Sequence, residues 1–282
     1  MSDDKEAKTL ANLRVLVTRS THQSGGFTKR LQALGAQVIE IPMLHIAPPE
    51  SFEPLDTAIR MLPQYRWVVF ASANAAHAFF DRLRALGFSQ LPDSVSIAAI
   101  GPGTAKSVEH WGHQARYQPR EFIAESFISN FPGFPNLEGT TVLWPKGDTG
   151  RWVIRDKLQN AGALVTPVVT YRSTMPPDTG LLAVQLANAV RQRQVDVVTM
   201  ASGQTAKNFI TMSHINLNPD EVRDLLRQMT VVTIGPETSA AVKELGFTDV
   251  RQAGEYTTEG MVAVLESMAA TKRLKVGHYK AD

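Results

Sequence analysis

The chain has 282 residues, 43% hydrophobic and 20% charged, with Lys+Arg 29 against Asp+Glu 27 and no cysteine. Its length accommodates two domains of roughly 130 to 140 residues each, and its composition is that of a globular protein rather than a disordered one. The near balance of charge argues against a nucleic-acid partner, and the absence of cysteine removes disulfides, iron–sulfur clusters, thiolate zinc sites and cysteine nucleophiles together.

The polar opening MSDDKEAKTLAN (1–12) lacks the apolar core of a signal peptide, and no run reaches the about eighteen apolar residues of a membrane span. A cytoplasmic protein with a frayed N-terminal tail and no membrane partner is expected. The first strand is RVLVT (14–18), followed by a helix over FTKRLQALG (27–35) and a strand over QVIEIPML (37–44). Next come a strand WVVFA (67–71), a helix NAAHAFFDRLRALG (74–87), a strand VSIAAI (95–100) and a helix TAKSVEHWG (104–112). TTVLW (140–144), the helix WVIRDKLQNAG (152–162) and LVTPVVTY (164–171) continue the alternation. It closes with VDVVTMA (195–201), TAKNFITM (205–212), TVVTI (230–234) and TSAAVKELG (238–246). The strands are continuous apolar runs, as parallel strands covered on both faces require, and several helices end on Gly. The class is therefore α/β with parallel sheets.

The chain also repeats itself. VLVTRS…LQALGAQVIEIPML and VLWPKG…LQNAGALVTPVVTY superpose with a constant shift of 127, placing Val15 on Val142, Leu31 on Leu158 and Gly35 on Gly162. VVFASANAAHAFF (68–80) answers VVTMASGQTAKNF (197–209), and IAAIGPGTAKSVEHWG (97–112) answers VVTIGPETSAAVKELG (231–246). The order is X-Y-X-Y, and one X with one Y makes a flavodoxin-like domain of about five strands. Sequential pairing and interleaved pairing fit the repeat equally well.

Four strand-to-helix turns follow: ASANA (71–75), IGPGT (100–104), ASGQT (201–205) and IGPET (234–238). In a doubly wound sheet such turns gather at the carboxyl edge, where helix N-termini present free N–H groups to carboxylates or phosphates. Ser72, Asn74, Gly101, Thr104, Ser202, Gly203, Gly235 and Thr238 are the candidate binding residues of these turns. The hydroxyl residues among them, Ser72, Thr104, Ser202 and Thr238, also suit plain helix caps. Neither GxGxxG nor GxxxxGK[ST] occurs, so the expected ligand is acidic but neither a dinucleotide nor a nucleoside triphosphate.

VLVTRS, FASANAAHAF, AIGPGTAKSVEHWG, ESFI, VVTYRS, IGPETSAAVKELG and EYTTEGMVAVL, in this order across roughly residues 13 to 268, resemble the uroporphyrinogen-III synthase family. The resemblance implies two flavodoxin-like parallel-sheet domains joined by a two-stranded connector, with a ligand cleft between them. It also implies the interleaved pairing: residues 1–46 with 175–282 as a discontinuous first domain, and 47–174, connector strands included, as an inserted second domain. A monomer without cofactor or metal is implied, as is the substrate hydroxymethylbilane, whose eight carboxylates suit helix N-termini. A transient contact with the upstream hydroxymethylbilane synthase is a further implication. The reaction would be a cofactor-independent lyase step: loss of the hydroxymethyl oxygen as water, then ring closure through a spiro intermediate that inverts the last pyrrole.

Within that resemblance Tyr171 is the candidate proton donor to the departing hydroxyl, and Arg19, Lys146 and Arg151 are candidate carboxylate-binding cations. The sequence departs from the family pattern at Ala71 and Ala201, where Thr is common, and at Lys146, where Arg is common. Lys keeps the charge and loses the bidentate geometry. His110 and His113 read as a surface pair on a helix, and the four tryptophans, Trp67, Trp111, Trp144 and Trp152, as packing residues. A non-catalytic binding or sensor protein for an acidic small molecule is the rival reading on the same architecture.

Overall fold

The computed structural model describes residues 8–120, 124–149 and 152–278. In chain order the elements are β1 (Arg14–Val17), α1 (Thr21–Ala33), β2 (Gln37–Glu40), β3 (His45–Ala47), α2 (Glu53–Arg60), β4 (Trp67–Phe70), α3 (Ala73–Ala85), β5 (Ser96–Ala99) and α4 (Pro102–His110). There follow α5 (Ala124–Ser129), β6 (Thr141–Gly147), α6 (Val153–Asn160), β7 (Leu164–Thr174), α7 (Thr179–Arg191) and β8 (Val197–Met200). The chain continues through α8 (Gly203–Asn216), α9 (Pro219–Gln228), β9 (Thr230–Thr233), α10 (Pro236–Glu244), β10 (Asp249–Gln252) and α11 (Thr258–His278).

The chain divides into two compact units, residues 1–45 with 175–282 and residues 46–174. In the first, a five-stranded sheet has the order β10-β9-β8-β1-β2; in the second the order is β3-β7-β6-β4-β5. β1 pairs in parallel with β8, and β6 in parallel with β4, so the first X joins the second Y and the second X joins the first Y. The repeat reaches register: Val15 faces Val38 across β1 and β2, and Val142 faces Val165 across β6 and β7. Where the first sheet carries β10, the described residues of the second show an isolated parallel bridge between Ala98 and Tyr117.

Continuous apolar strands follow from two-sided burial. In the first unit Val15, Val17, Val197 and Val232 pack with Phe27, Leu31, Met261 and Leu265 on one face, while Leu16, Val198 and Val231 meet Leu186, Phe209 and Val242 on the other. In the second unit Val68, Phe70 and Leu143 pack with Leu55, Phe79 and Phe80, and Trp67, Val69 and Val142 with Phe127, Ile154 and Leu158. Alternate residues thus go to opposite faces, and both faces are dry.

Three expectations are corrected by the backbone. The strand expected over 37–44 stops at Glu40; Ile41 N still donates to Val17 O and Met43 N to Thr18 O, but Pro42 has no N–H and the ladder lapses. α1 begins at Thr21, well before Phe27, because side-chain periodicity shows only from the first residue that reaches the core. β6 and β7 run on to Gly147 and Thr174. Among the described residues no helix is long and apolar enough to cross a membrane.

Candidate functional site

Tyr171 sits late in β7, where the strand departs from regular pairing. Val169 is opposite Lys146 and Tyr171 is opposite Gly147, which leaves Thr170 as an extra residue in the ladder. Its Oγ1 donates to the Lys146 carbonyl at 3.2 Å. Such a bulge breaks the alternation of the strand and re-aims the next side chain. The Tyr171 ring consequently lies against Gly147, where a Cβ would stand 2.8 Å from Cζ and 2.9 Å from the hydroxyl oxygen. Only glycine fits beneath the phenol.

The phenolic oxygen is 3.3 Å from Ser72 Oγ. Ser72 is the N-cap of α3 and accepts from Ala75 N at 3.2 Å, so the same hydroxyl closes the helix and touches the phenol. Burial raises the Tyr171 pKa above that of a free tyrosine; hydrogen bonds with Ser72 and Asn74 oppose the rise, and the Asp148 charge adds to it. The phenol is therefore neutral, and able to donate, throughout the neutral range. Ser72, Trp144, Lys146, Gly147, Thr149 and Tyr171 line a cavity of about 230 Å³.

Lys146 lines this cavity with its head group turned inward. The residue is 5% exposed, and Nζ donates to Gly147 O at 2.5 Å, with longer contacts to the carbonyls of Asp148 (3.4 Å) and Thr149 (3.5 Å). Nζ also lies 4.7 Å from the ring centre of Trp152 and 5.7 Å from that of Trp144. Burial lowers the Lys146 pKa, with Asp148 opposing. Trp144 and Trp152 meet edge to face at 5.8 Å. Trp144 packs, as expected of it, whereas Trp152 is 41% exposed; both also flank the cation. The i, i+2 spacing of Trp144 and Lys146 on one strand was the sequence signal for this. Nothing comparable marked Asp148 or Thr149.

The remaining candidates separate by unit. Gly101 is the N-cap of α4, with Pro102 at the first helical position; Gly235 and Pro236 play the same parts in α10. Thr104 and Thr238 are thus third residues inside their helices, 6% and 5% exposed, and the cap reading fails for both. It holds for Ser72 and for Ser202, whose Oγ accepts from Thr205 N at 3.2 Å. A Cβ on Gly203 would stand 3.0 Å from Ala241 Cβ, so α8 and α10 approach closely at this end of the first unit. Arg19, also in the first unit, is half-buried beside a cavity of about 550 Å³ that includes Arg30, Thr258 and Glu259. Its Nε is buried without a hydrogen-bond partner, and burial lowers the guanidinium pKa while Glu259 opposes. Arg151 lies outside the described residues.

The histidines differ from a surface pair. α4 ends at His110, so His113 lies beyond the helix, where it stacks on Phe80 at 4.9 Å. Trp111 Nε1 donates to His77 Nδ1 at 3.0 Å. Among the described residues no group of three or more His, Cys, Asp or Glu could hold a metal ion.

A family model described as uroporphyrinogen-III synthase HemD matches residues 26–263. A uroporphyrinogen-III synthase of Synechococcus elongatus is 37% identical over 260 residues, covering 90% of this chain and 95% of the relative. The enzyme of the same description from Escherichia coli is 22% identical over 255 residues, covering 90% and 100%. In fold, the chain is similar to a mutant uroporphyrinogen III synthase from the extremely thermophilic bacterium Thermus thermophilus (TM-score 0.61, 15% identity, 92% of this chain and 99% of that one). It is also similar to uroporphyrinogen-III synthetase from Helicobacter pylori (TM-score 0.56, 14% identity, 91% and 99%).

Proposed function

The chain belongs to the uroporphyrinogen-III synthase family, and from that premise we propose how its residues serve the reaction. The activity is that of a lyase in tetrapyrrole biosynthesis: hydroxymethylbilane loses water and closes to uroporphyrinogen III with its last pyrrole inverted.

Tyr171 protonates the departing hydroxyl. The phenol O–H donates its proton, the C–O bond breaks and water leaves, generating an azafulvene whose cation is delocalised over the pyrrole. The substituted carbon of the last ring attacks it to give the spiro intermediate. The older bond from that carbon to its methylene bridge then breaks, releasing a second azafulvenium, which the unsubstituted α-carbon of the now inverted ring attacks, and the proton lost from that carbon restores the phenol. The observation that carries this reading is the partly buried, neutral phenol held over Gly147 and beside Ser72, at the rim of a cavity of about 230 Å³. A neutral donor suits a substrate that brings its own negative charge.

The substrate carboxylates are received by the helix N-termini at Ser72 and Asn74, Gly101 and Thr104, Ser202 and Gly203, and Gly235 and Thr238, with Arg19 and Arg151 as cations. Each of the two compact units is an independently folding domain. The chain works as a monomer in the cytoplasm and takes its substrate through a transient contact with hydroxymethylbilane synthase. Chemistry supports that contact, since the free bilane closes unaided to the uninverted isomer and a short transit protects it. Incubation with hydroxymethylbilane, oxidation and isomer analysis test the whole reading. Type III product is expected, and product no richer in type III than the buffer control overturns it.

A further inference from the structure

We propose that Lys146 is a positioning residue for Tyr171: its buried ammonium winds the 147–149 turn on which the phenol rests, and it does not bind substrate. This rests on the reading of Tyr171 as proton donor. An ammonium has three N–H donors and no acceptor, and taking it out of water is costly unless those donors are used. Here they face three successive main-chain carbonyls, those of Gly147, Asp148 and Thr149. Three carbonyl dipoles that converge on one point repel each other, so the turn keeps this shape only around a cation.

What the turn holds is Tyr171. Asp148 N donates to the Tyr171 carbonyl at 3.0 Å, fixing the main chain of the tyrosine. The Asp148 carboxylate accepts at Oδ1 from Thr149 N (2.8 Å) and from Ser173 N (3.1 Å), tying the turn to β7 beyond the tyrosine. Gly147, whose carbonyl makes the shortest bond to Nζ, is also the residue under the phenol ring. One charge thus sets the floor beneath the phenol and the backbone that carries it. Trp144 and Trp152 present ring faces to the same ammonium and close its side away from the turn.

The test compares Lys146→Met and Lys146→Arg with the unaltered protein by kcat, KM and the ultraviolet titration of Tyr171. The titration of that one phenol is obtained by subtracting the curve of the same variant carrying Tyr171→Phe. Lys146→Met is expected to lower kcat about ten- to a hundredfold, the scale of a displaced catalytic group, with KM little changed and the Tyr171 titration moved. Lys146→Arg, which keeps a cation for the carbonyls, restores most of both. Should Lys146→Met not fold, Lys146→Gln takes its place: it removes the charge from a polar chain of similar reach and should produce the same fall in kcat and the same moved titration. A raised KM with unchanged kcat in Lys146→Met overturns the proposal in favour of a carboxylate clamp, and an unmoved Tyr171 titration in the folded variants overturns it outright. Full rate in Tyr171→Phe, together with a titration that moves in Lys146→Met, removes the donor reading and leaves the positioning by Lys146 standing.

Discussion

The hydroxyl oxygens of Ser72 and Tyr171 lie 3.3 Å apart, joining the first turn of α3 to the far end of β7. Ser72 Oγ already accepts from Ala75 N, so its own hydrogen is free to point at the phenol, or its second lone pair to receive from it. Helix cap and candidate proton donor therefore share one small hydroxyl.

Tyr171→Phe is expected to slow turnover by roughly ten- to a thousandfold, the lower part of the range for general acid assistance, since this leaving group also departs unaided in water. The released macrocycle should remain the type III isomer, because the hydroxyl governs rate while binding governs which carbon attacks. Steady-state kinetics with isomer analysis reads both. Full rate would remove the donor role, and mainly uninverted product would make Tyr171 an orienting residue.

The pH dependence has a definite sign. A proton donor works while protonated, and burial places the Tyr171 phenol above the ordinary tyrosine value. Turnover should hold across the neutral range and fall on the alkaline side only above that ordinary value, as the phenolate forms. Ser72 opposes the rise, so Ser72→Ala should carry the alkaline limb to still higher pH. A limb that moves to lower pH in Ser72→Ala would contradict the assignment.

The four hydroxyl residues of the turns should behave as two pairs. Ser72→Ala and Ser202→Ala each remove an N-cap and are expected to cost about 0.5–2 kcal/mol of stability, measured by denaturant unfolding. Thr104→Ser and Thr238→Ser, which keep the hydroxyl inside the helix, should leave that cap energy intact. In binding, Ser or Thr to Ala changes at these turns should give graded losses, as expected where main-chain N–H groups share the load. Complete loss of turnover in Thr238→Ala, with folding preserved, would make that hydroxyl a chemical participant instead.

Expressed alone, residues 46–174 should unfold in one cooperative transition, because that stretch holds every strand of its sheet apart from His45 at the start of β3. The contiguous piece 1–139 should not, as it holds β1 and β2 without β8 and holds β4 and β5 without β6. Calorimetry or circular dichroism on the two pieces decides it, and a well-folded 1–139 fragment would count against independent domains of this composition.

The sheet cores were legible in the sequence for a physical reason: both faces of β1, β4, β8 and β9 are buried, so their residues form unbroken apolar runs. β10 was not legible. Its DVRQ has a single apolar residue, Val250, and it is held by pairing with β9 and by Thr230 Oγ1 donating to Asp249 Oδ2. α7 lies outside the internal repeat, although Leu182, Ala183, Leu186 and Ala187 are all buried on one face, and α2 and α9 lie outside it too. At the site, Tyr171 and Ser72 stood out by position and family pattern. The bulge at Thr170 did not, because a one-residue change of register leaves no trace in composition or spacing, and of the Lys146 environment only the strand face it shares with Trp144 was legible.

The pairing of β1 with β8 sets an order of events during synthesis. Val15 and its partner Val197 are separated by the entire 46–174 unit. At a translation rate of roughly 5 to 20 residues per second, the first two strands wait about ten to thirty seconds for the third. During that interval the apolar residues of β1, which will be fully covered in the finished sheet, have only α1 and β2 for shelter. The second unit, whose strands all emerge in one stretch, completes itself first. The nascent chain therefore carries a closed domain tethered to an unfinished N-terminal sheet, and that waiting segment is where a chaperone or an unwanted neighbour would find exposed surface.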